Sequence, residues 1–123
     1  MVSNPLIWME MSSLLPSQVE DLSKIIKVYK KERDAILKGD VCPIGERPCG
    51  FSHTGFEVKC ESGGYLILLK EKTDCNEFTF DISGSIKDYE ILLTNCENAK
   101  IEANGNKVTV KKMEKAGYIL IKY

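Results

Sequence analysis

"GYLILLKE", residues 64–71, decides the fold class of this chain. Tyr65, Leu66, Ile67, Leu68 and Leu69 form an unbroken apolar run with glycines ahead of it and charges behind. Such a run is consistent with a strand buried on both faces. Its surroundings agree, because from residue 56 onward the apolar period is two. "FEVKCE" (56–61) alternates, "EFTFDIS" (77–83) places Phe78, Phe80 and Ile82 on one side, and "YEILLTN" (89–95) and "AGYILIKY" (116–123) follow. In "AKIEANGNKVTVKK" (99–112), Asn104-Gly105 predicts a hairpin, with glycine at the positive φ that the turn demands. A two-residue loop sets Ile101 opposite Val108 and Glu102 opposite Lys107, so that apolar meets apolar and opposite charges meet. About six to eight short strands, with turns every ~8–12 residues, predict an antiparallel β-sandwich or curled sheet.

Upstream, the period is that of a helix. "SQVE" (17–20) fits a capping box, with Pro16 ahead of it. Val19, Leu22, Ile26, Tyr29 and Ile36 recur at three- and four-residue steps, and Ile25 and Leu37 widen the stripe. Lys24, Lys27, Lys30, Lys31, Glu32 and Asp34 are expected on the solvated side, and Gly39 is expected to cap the end after Lys38. The helix so read has about 22 residues and a length of roughly 33 Å. Residues 1–15 are apolar without a clear period, which is unusual for a chain end unless it docks onto something. The expected organisation is therefore mostly β with one long N-terminal helix, an α+β chain. Residues 1–40 hold the apolar segment and helix, 41–56 a Pro/Gly junction loop, and 57–123 an antiparallel β-domain.

Bulk composition bounds the function. The 123 residues make one domain with a single core, and 17 basic residues against 18 acidic ones give a net charge of −1. That balance lacks the basic excess of nucleic-acid binding. No stretch reaches the ~18 apolar residues of a membrane span, and the N-terminus carries no basic leader. Five cysteines, Cys42, Cys49, Cys60, Cys75 and Cys96, at irregular spacing imply reduced thiols in a cytoplasm.

"CPIGERPCGFSHTGFE" (42–57) concentrates two cysteines, two prolines, three glycines and the single histidine. A zinc site would draw on Cys42, Cys49 and His53 with Cys60, but the Cys-x6-Cys spacing misses the usual Cys-x2–4-Cys. A nucleophile–base pair would join Cys49 to His53, with no evident third group to orient the imidazole. Paired carboxylates for glycoside cleavage would come from Asp40, Glu46, Glu57, Asp74, Asp81 and Asp88, and no pair stands out. No phosphate-binding glycine loop is present, since Gly63-Gly64 reads as a plain turn. The remaining reading is a junction between helix and sheet, its path fixed by Pro43, Gly45, Pro48, Gly50 and Gly55 and anchored by Phe51 and Phe56.

Four stretches, "NPLIWMEMSSL", "KIIKVYKKERDAILKGDVCPIGERP", "GFSHTGFE" and "GYLILLKE", give the chain a resemblance to a family. It is similar to the C-terminal region of the α-galactosidase-like, melibiase-type glycoside hydrolases of clan D. That family's last barrel helix carries Tyr-Lys-x-x-Arg, matched by Tyr29, Lys30 and Arg33. Its Pro-x-Gly-x-x-Pro-x-Gly turn is matched by Pro43, Gly45, Pro48 and Gly50, and its Ser-Trp-Thr-Gly-Phe-Gln segment by Ser52, Thr54, Gly55 and Phe56. His53 stands where the family has Trp, and Glu57 where it has Gln. The resemblance covers residues 4 to about 71.

The resemblance implies a helix that once packed on a (β/α)8 barrel, followed by a non-catalytic β-domain that supports it. A barrel needs about 250 residues. The family's catalytic aspartates sit upstream of this region, so no catalytic residue, metal or cofactor is expected here. The helix stripe needs a cover, since seven Leu- or Ile-sized side chains are worth roughly 10–20 kcal/mol when buried. That cover could be the β-domain, residues 1–15, a second copy, or a barrel in cis or on another chain. Two other functions remain open. One is a stand-alone carbohydrate-binding sandwich using Tyr65, Tyr89, Tyr118 and Tyr123. The other is a homo-oligomerisation module using the stripe.

Overall fold

The computed structural model describes residues 11–123, so the apolar residues Leu6, Ile7, Trp8 and Met9 lie outside the described residues. The chain is mostly β with one long helix. A single 3-10 turn (Met11–Ser13) leads into α1 (Pro16–Lys38), followed by seven strands: β1 (Asp40–Gly45), β2 (His53–Lys59), β3 (Gly64–Lys70), β4 (Phe78–Ile86), β5 (Glu90–Thr94), β6 (Lys100–Lys111) and β7 (Gly117–Lys122). Five of them form an antiparallel sheet in the order β1-β2-β3-β7-β5, and β4 pairs with β6.

The unbroken apolar run becomes β3, the middle strand of the five, and both its faces are covered. Leu66 and Leu68 join Ile44, Ile119 and Ile121 against Phe80, Ile82, Val108 and Val110 of the β4–β6 layer. On the other face, Tyr65 packs with Val58, Leu120 and Ile36 of α1. Alternation along β3 thus feeds two cores at once, as a period of two requires when both faces are dry.

Helix α1 starts earlier than its sequence signature. Leu15 is the N-cap, Pro16 takes the first helical position, and Gln18 Oε1 accepts from the Leu15 amide at 2.9 Å. Proline's fixed φ suits that position and moves the N-cap two residues upstream, from Ser17 to Leu15. Gly39 does end the helix, but with φ −82 rather than a left-handed cap. A β-carbon there would come within 2.6 Å of Val58 and 2.7 Å of the Lys59 carbonyl, so close approach to β2 is what requires glycine.

The stripe is also corrected. Glu32, expected in solvent, is buried at 4% exposure, while Val19 and Leu37, expected inside, are exposed. Glu32 stands four residues from both Val28 and Ile36, the helix residues that enter the core beneath.

The expected junction loop is shorter than 41–56. Residues 40–45 and 53–59 are strands paired antiparallel, and Val41 lies opposite Val58. Pro43 is tolerated because β1 is an edge strand.

The expected hairpin is not formed as two strands: residues 100–111 are one strand, β6, paired along β4. Gly105 has φ 61 as expected, but Asn104 does not share a positive φ, which a type I′ turn needs at both positions. β6 bends here without splitting into two strands: Glu102 and Lys111 meet at 2.8 Å, whereas nine extended residues span roughly 30 Å. Lys107 instead pairs with Asp81 across from β4, at 2.8 Å.

Candidate functional site

The motif-rich stretch folds around carboxylates. Between β1 and β2 the chain wraps the Glu71 side chain, whose Oε2 accepts from the amides of Cys49 (3.1 Å), Gly50 (2.7 Å) and Ser52 (3.0 Å) and from the Ser52 hydroxyl (2.6 Å). Four donors on one oxygen favour the ionised form. The Ser52 hydroxyl and amide lead in drawing the Glu71 pKa down to about 2. At the foot of the loop, Glu46 accepts from the His53 amide at 2.8 Å. The His53 ring stacks on Phe78 at 3.9 Å, with Nε2 3.1 Å from the Cys75 carbonyl. A carbonyl only accepts, so that contact places a proton on Nε2.

The second cluster is buried. Glu57, 1% exposed, projects from β2 towards β4, where the register slips between Asp81 and Ile86. Oε2 accepts from the Ser83 amide (3.0 Å) and hydroxyl (2.9 Å), and Oε1 from the Gly84 amide and the Tyr123 hydroxyl (both 3.1 Å). The slip withdraws those amides from the ladder, and the carboxylate takes them up. Burial pushes the Glu57 pKa up, but these donors outweigh it and hold the group below the usual carboxylate range. Burial, together with the Glu57 charge, pushes the Tyr123 hydroxyl up to about 12.

The third cluster fastens the helix. Glu32 Oε2 accepts from the Tyr65 hydroxyl at 2.7 Å and pairs with Lys122 at 2.8 Å. The Lys122 hydrogen bond leads in keeping Glu32 ionised, against its burial. A charge-assisted bond of this kind contributes ~1.5–3 kcal/mol. A fourth buried group, Lys70, donates to Asn76 Oδ1 and to the Met113 carbonyl, both at 2.6 Å.

The residues singled out in the sequence are dispersed. Cys42 lies opposite Glu57 on β1, Cys49 sits in the Glu71 loop, and the Cys60 thiol contacts the Ala35 carbonyl at 3.6 Å. Among the described residues, no three His, Cys, Asp or Glu side chains are grouped as a metal would need. Cys49 is not among the partners of the His53 ring.

Of the acids, Glu46, Glu57 and Asp81 have the partners given above. Asp40 opens β1 opposite Lys59 and Asp74 lies in the β3–β4 connection. Asp88 lines a cleft of about 550 Å³ with Lys59, Lys87 and Tyr123 and no second carboxylate.

The four tyrosines do not form one platform. Tyr65 is buried under α1, Tyr123 reaches Glu57 on the opposite side of the sheet, Tyr118 is half-buried, and Tyr89 donates to the Ile101 carbonyl.

Of the family-like residues, Ser52, Thr54 and Gly55 are buried in the joint. Arg33 is exposed beside Asp34. Glu71 and Lys70 escaped sequence reasoning because their partners lie up to 22 and 43 residues away. Glu32 was detectable, by its spacing from Val28 and Ile36.

Comparison with protein-family models, curated proteins and solved structures finds no match for this chain. Among the described residues, no helix is long and apolar enough to cross a membrane.

Proposed function

We propose that this chain is the non-catalytic C-terminal β-domain of an α-galactosidase-like glycoside hydrolase. In this reading α1 stands as the last helix of a (β/α)8 barrel and the two-layer sheet buttresses it. The observation that carries the non-catalytic part is how the acids are used. Glu32, Glu57 and Glu71, the carboxylates held by several donors, all serve scaffold contacts. Glu97 and Glu114 line one cleft, but both are exposed, and neither is desolvated as a general acid must be. The family part rests on the motif residues from Tyr29 to Phe56. The five cysteines, all free thiols, support a reducing compartment, and we place the chain in the cytoplasm.

The test has two arms. The purified chain should not hydrolyse an aryl α-galactoside. Co-expressed with an α-galactosidase barrel stripped of its own C-terminal domain, it should form a soluble complex that does. Turnover by the chain alone that disappears when Glu97 and Glu114 are both changed to Gln refutes the reading.

Self-association is a second reading, favoured by Leu15 at 64% and Val19 at 36% exposure on the helix. Sedimentation over a concentration series separates it from the first, since a strict monomer excludes it.

A further inference from the structure

We infer that the end of the sandwich framed by the β5–β6 and β6–β7 connections is a binding groove for a neutral polyhydroxylated ligand, a mono- or oligosaccharide. Three adjoining clefts of about 320, 400 and 430 Å³ lie there, with Glu97 in the wall of all three. Each is within the size range of small-molecule sites, ~300–1,000 Å³.

Asn95, Thr94 and Lys24 in the walls serve scaffold contacts, but part of the polar lining does not. Among the described residues, the side chains of Glu97, Asn98, Glu114 and Lys115 have no hydrogen-bond or ion-pair partner. Across the three clefts three carboxylates, Asp21, Glu97 and Glu114, face four ammonium groups, Lys24, Lys100, Lys112 and Lys115, so the groove offers acceptors and donors with charges close to balance. An anion or cation gains little from such a field. A hydroxyl, which both donates and accepts, finds partners of both kinds. The inner cleft adds apolar surface, with Tyr118 and Ile25 in its wall. The Tyr118 hydroxyl has no hydrogen-bond partner among the described residues, so the residue offers a ring face and a free polar tip.

The backbone adds a further observation. Lys112, with φ 60, is the one non-glycine residue at positive φ among those described. Strained residues persist where their surroundings over-determine them. Here the next residue is pinned: Met113 is fully buried, its amide bonds to the Asn76 carbonyl at 3.3 Å, and its carbonyl accepts from buried Lys70. Lys70 therefore sets the rim of the groove from the core side.

This inference does not depend on the hydrolase reading, and its test is separate. The full chain, labelled with nitrogen-15, is titrated with D-galactose, D-glucose, melibiose and, as an anion control, inorganic phosphate. Saturable amide shifts confined to residues 95–98 and 112–118 with at least one sugar are expected. Tyr118→Phe removes only the hydroxyl, and Lys112→Gly relieves the backbone. Both should stay folded and bind about three- to tenfold more weakly. No saturable shifts with any sugar, shifts with phosphate alone, or unchanged affinity in both variants overturns the inference.

Discussion

Glu57→Gln is the substitution that tests most sharply how the two sheets are joined. The side chain keeps its shape, but one acceptor oxygen becomes a donor. Either amide orientation leaves a backbone N–H facing an NH2 group: Gly84 if the oxygen stays with Ser83, Ser83 if it turns to Gly84. The hydroxyls of Ser83 and Tyr123 can rotate to accept; a backbone amide cannot. An orphaned buried donor costs ~1–3 kcal/mol, and charged hydrogen bonds that become neutral lose about 1 kcal/mol more. The expected loss is therefore about 2–4 kcal/mol. At ~3–5 °C per kcal/mol for a chain of this size, the melting temperature should fall by about 10 °C.

Urea unfolding followed by circular dichroism measures the loss directly, and its pH dependence supplies an internal control. Glu57 has a folded pKa below its unfolded one, so its contribution is full above the unfolded value near ~4.3. It is lost as pH falls through the folded value. Parent and variant curves should therefore diverge at pH 7 and converge in acid. A variant within about 0.5 kcal/mol of the parent at pH 7, the scale of a neutral surface change, would show that the β4 irregularity does not rely on this carboxylate.

Glu32→Ala leaves the Tyr65 hydroxyl and Lys122 without their acceptor. Because Lys122 is half in water, the cost should be about 2 kcal/mol rather than that of a fully buried pair, with hydrogen-exchange protection lost first in α1. Glu71→Gln should loosen residues 48–52, seen as faster limited proteolysis there while the global melting curve barely moves. The parent loop should loosen likewise as pH falls from about 4.5 towards 2, the span between the ordinary and the lowered Glu71 pKa. In alkali, Tyr65, Tyr118 and Tyr123 are all raised, Tyr123 to about 12. Their neutral forms stabilise the fold below the ordinary tyrosine range near ~10, and that stability is lost as pH rises through the folded values. Absorbance at tyrosinate wavelengths should therefore show these hydroxyls ionising only with alkaline unfolding.

What the sequence made legible, and what it hid, divides by the range of the physics. Period is local. The run from Tyr65 to Leu69 announces a strand dry on both faces because each alternate side chain needs its own apolar cover. α1 shows its extent because its start and stop lie in adjacent residues. Where two local rules compete, the sequence misleads: Pro16 and the Ser17 box both signal a start, and the ring's fixed φ wins. Asn104-Gly105 signals a hairpin, yet β6 runs through it, because its pairing partner is β4, a strand about 25 residues upstream in the chain. The polar clusters are invisible for the same reason. Glu57 alternates outward by pattern, yet it points into a second layer that pattern cannot supply. Glu71 looks like the charged end of a strand until the loop 19–22 residues before it turns its amides inward. A buried charge is recognisable only when its donors are placed, because desolvation costs several kcal/mol per ion and is offset only by partners in hand. Glu32 was the exception: its partners, Tyr65 and Lys122, are just as distant, but its four-residue spacing from Val28 and Ile36 puts it on the buried face of the helix. A charged residue on an apolar stripe therefore points to a tether beneath the helix more reliably than an acid in a turn points to a catalytic pair.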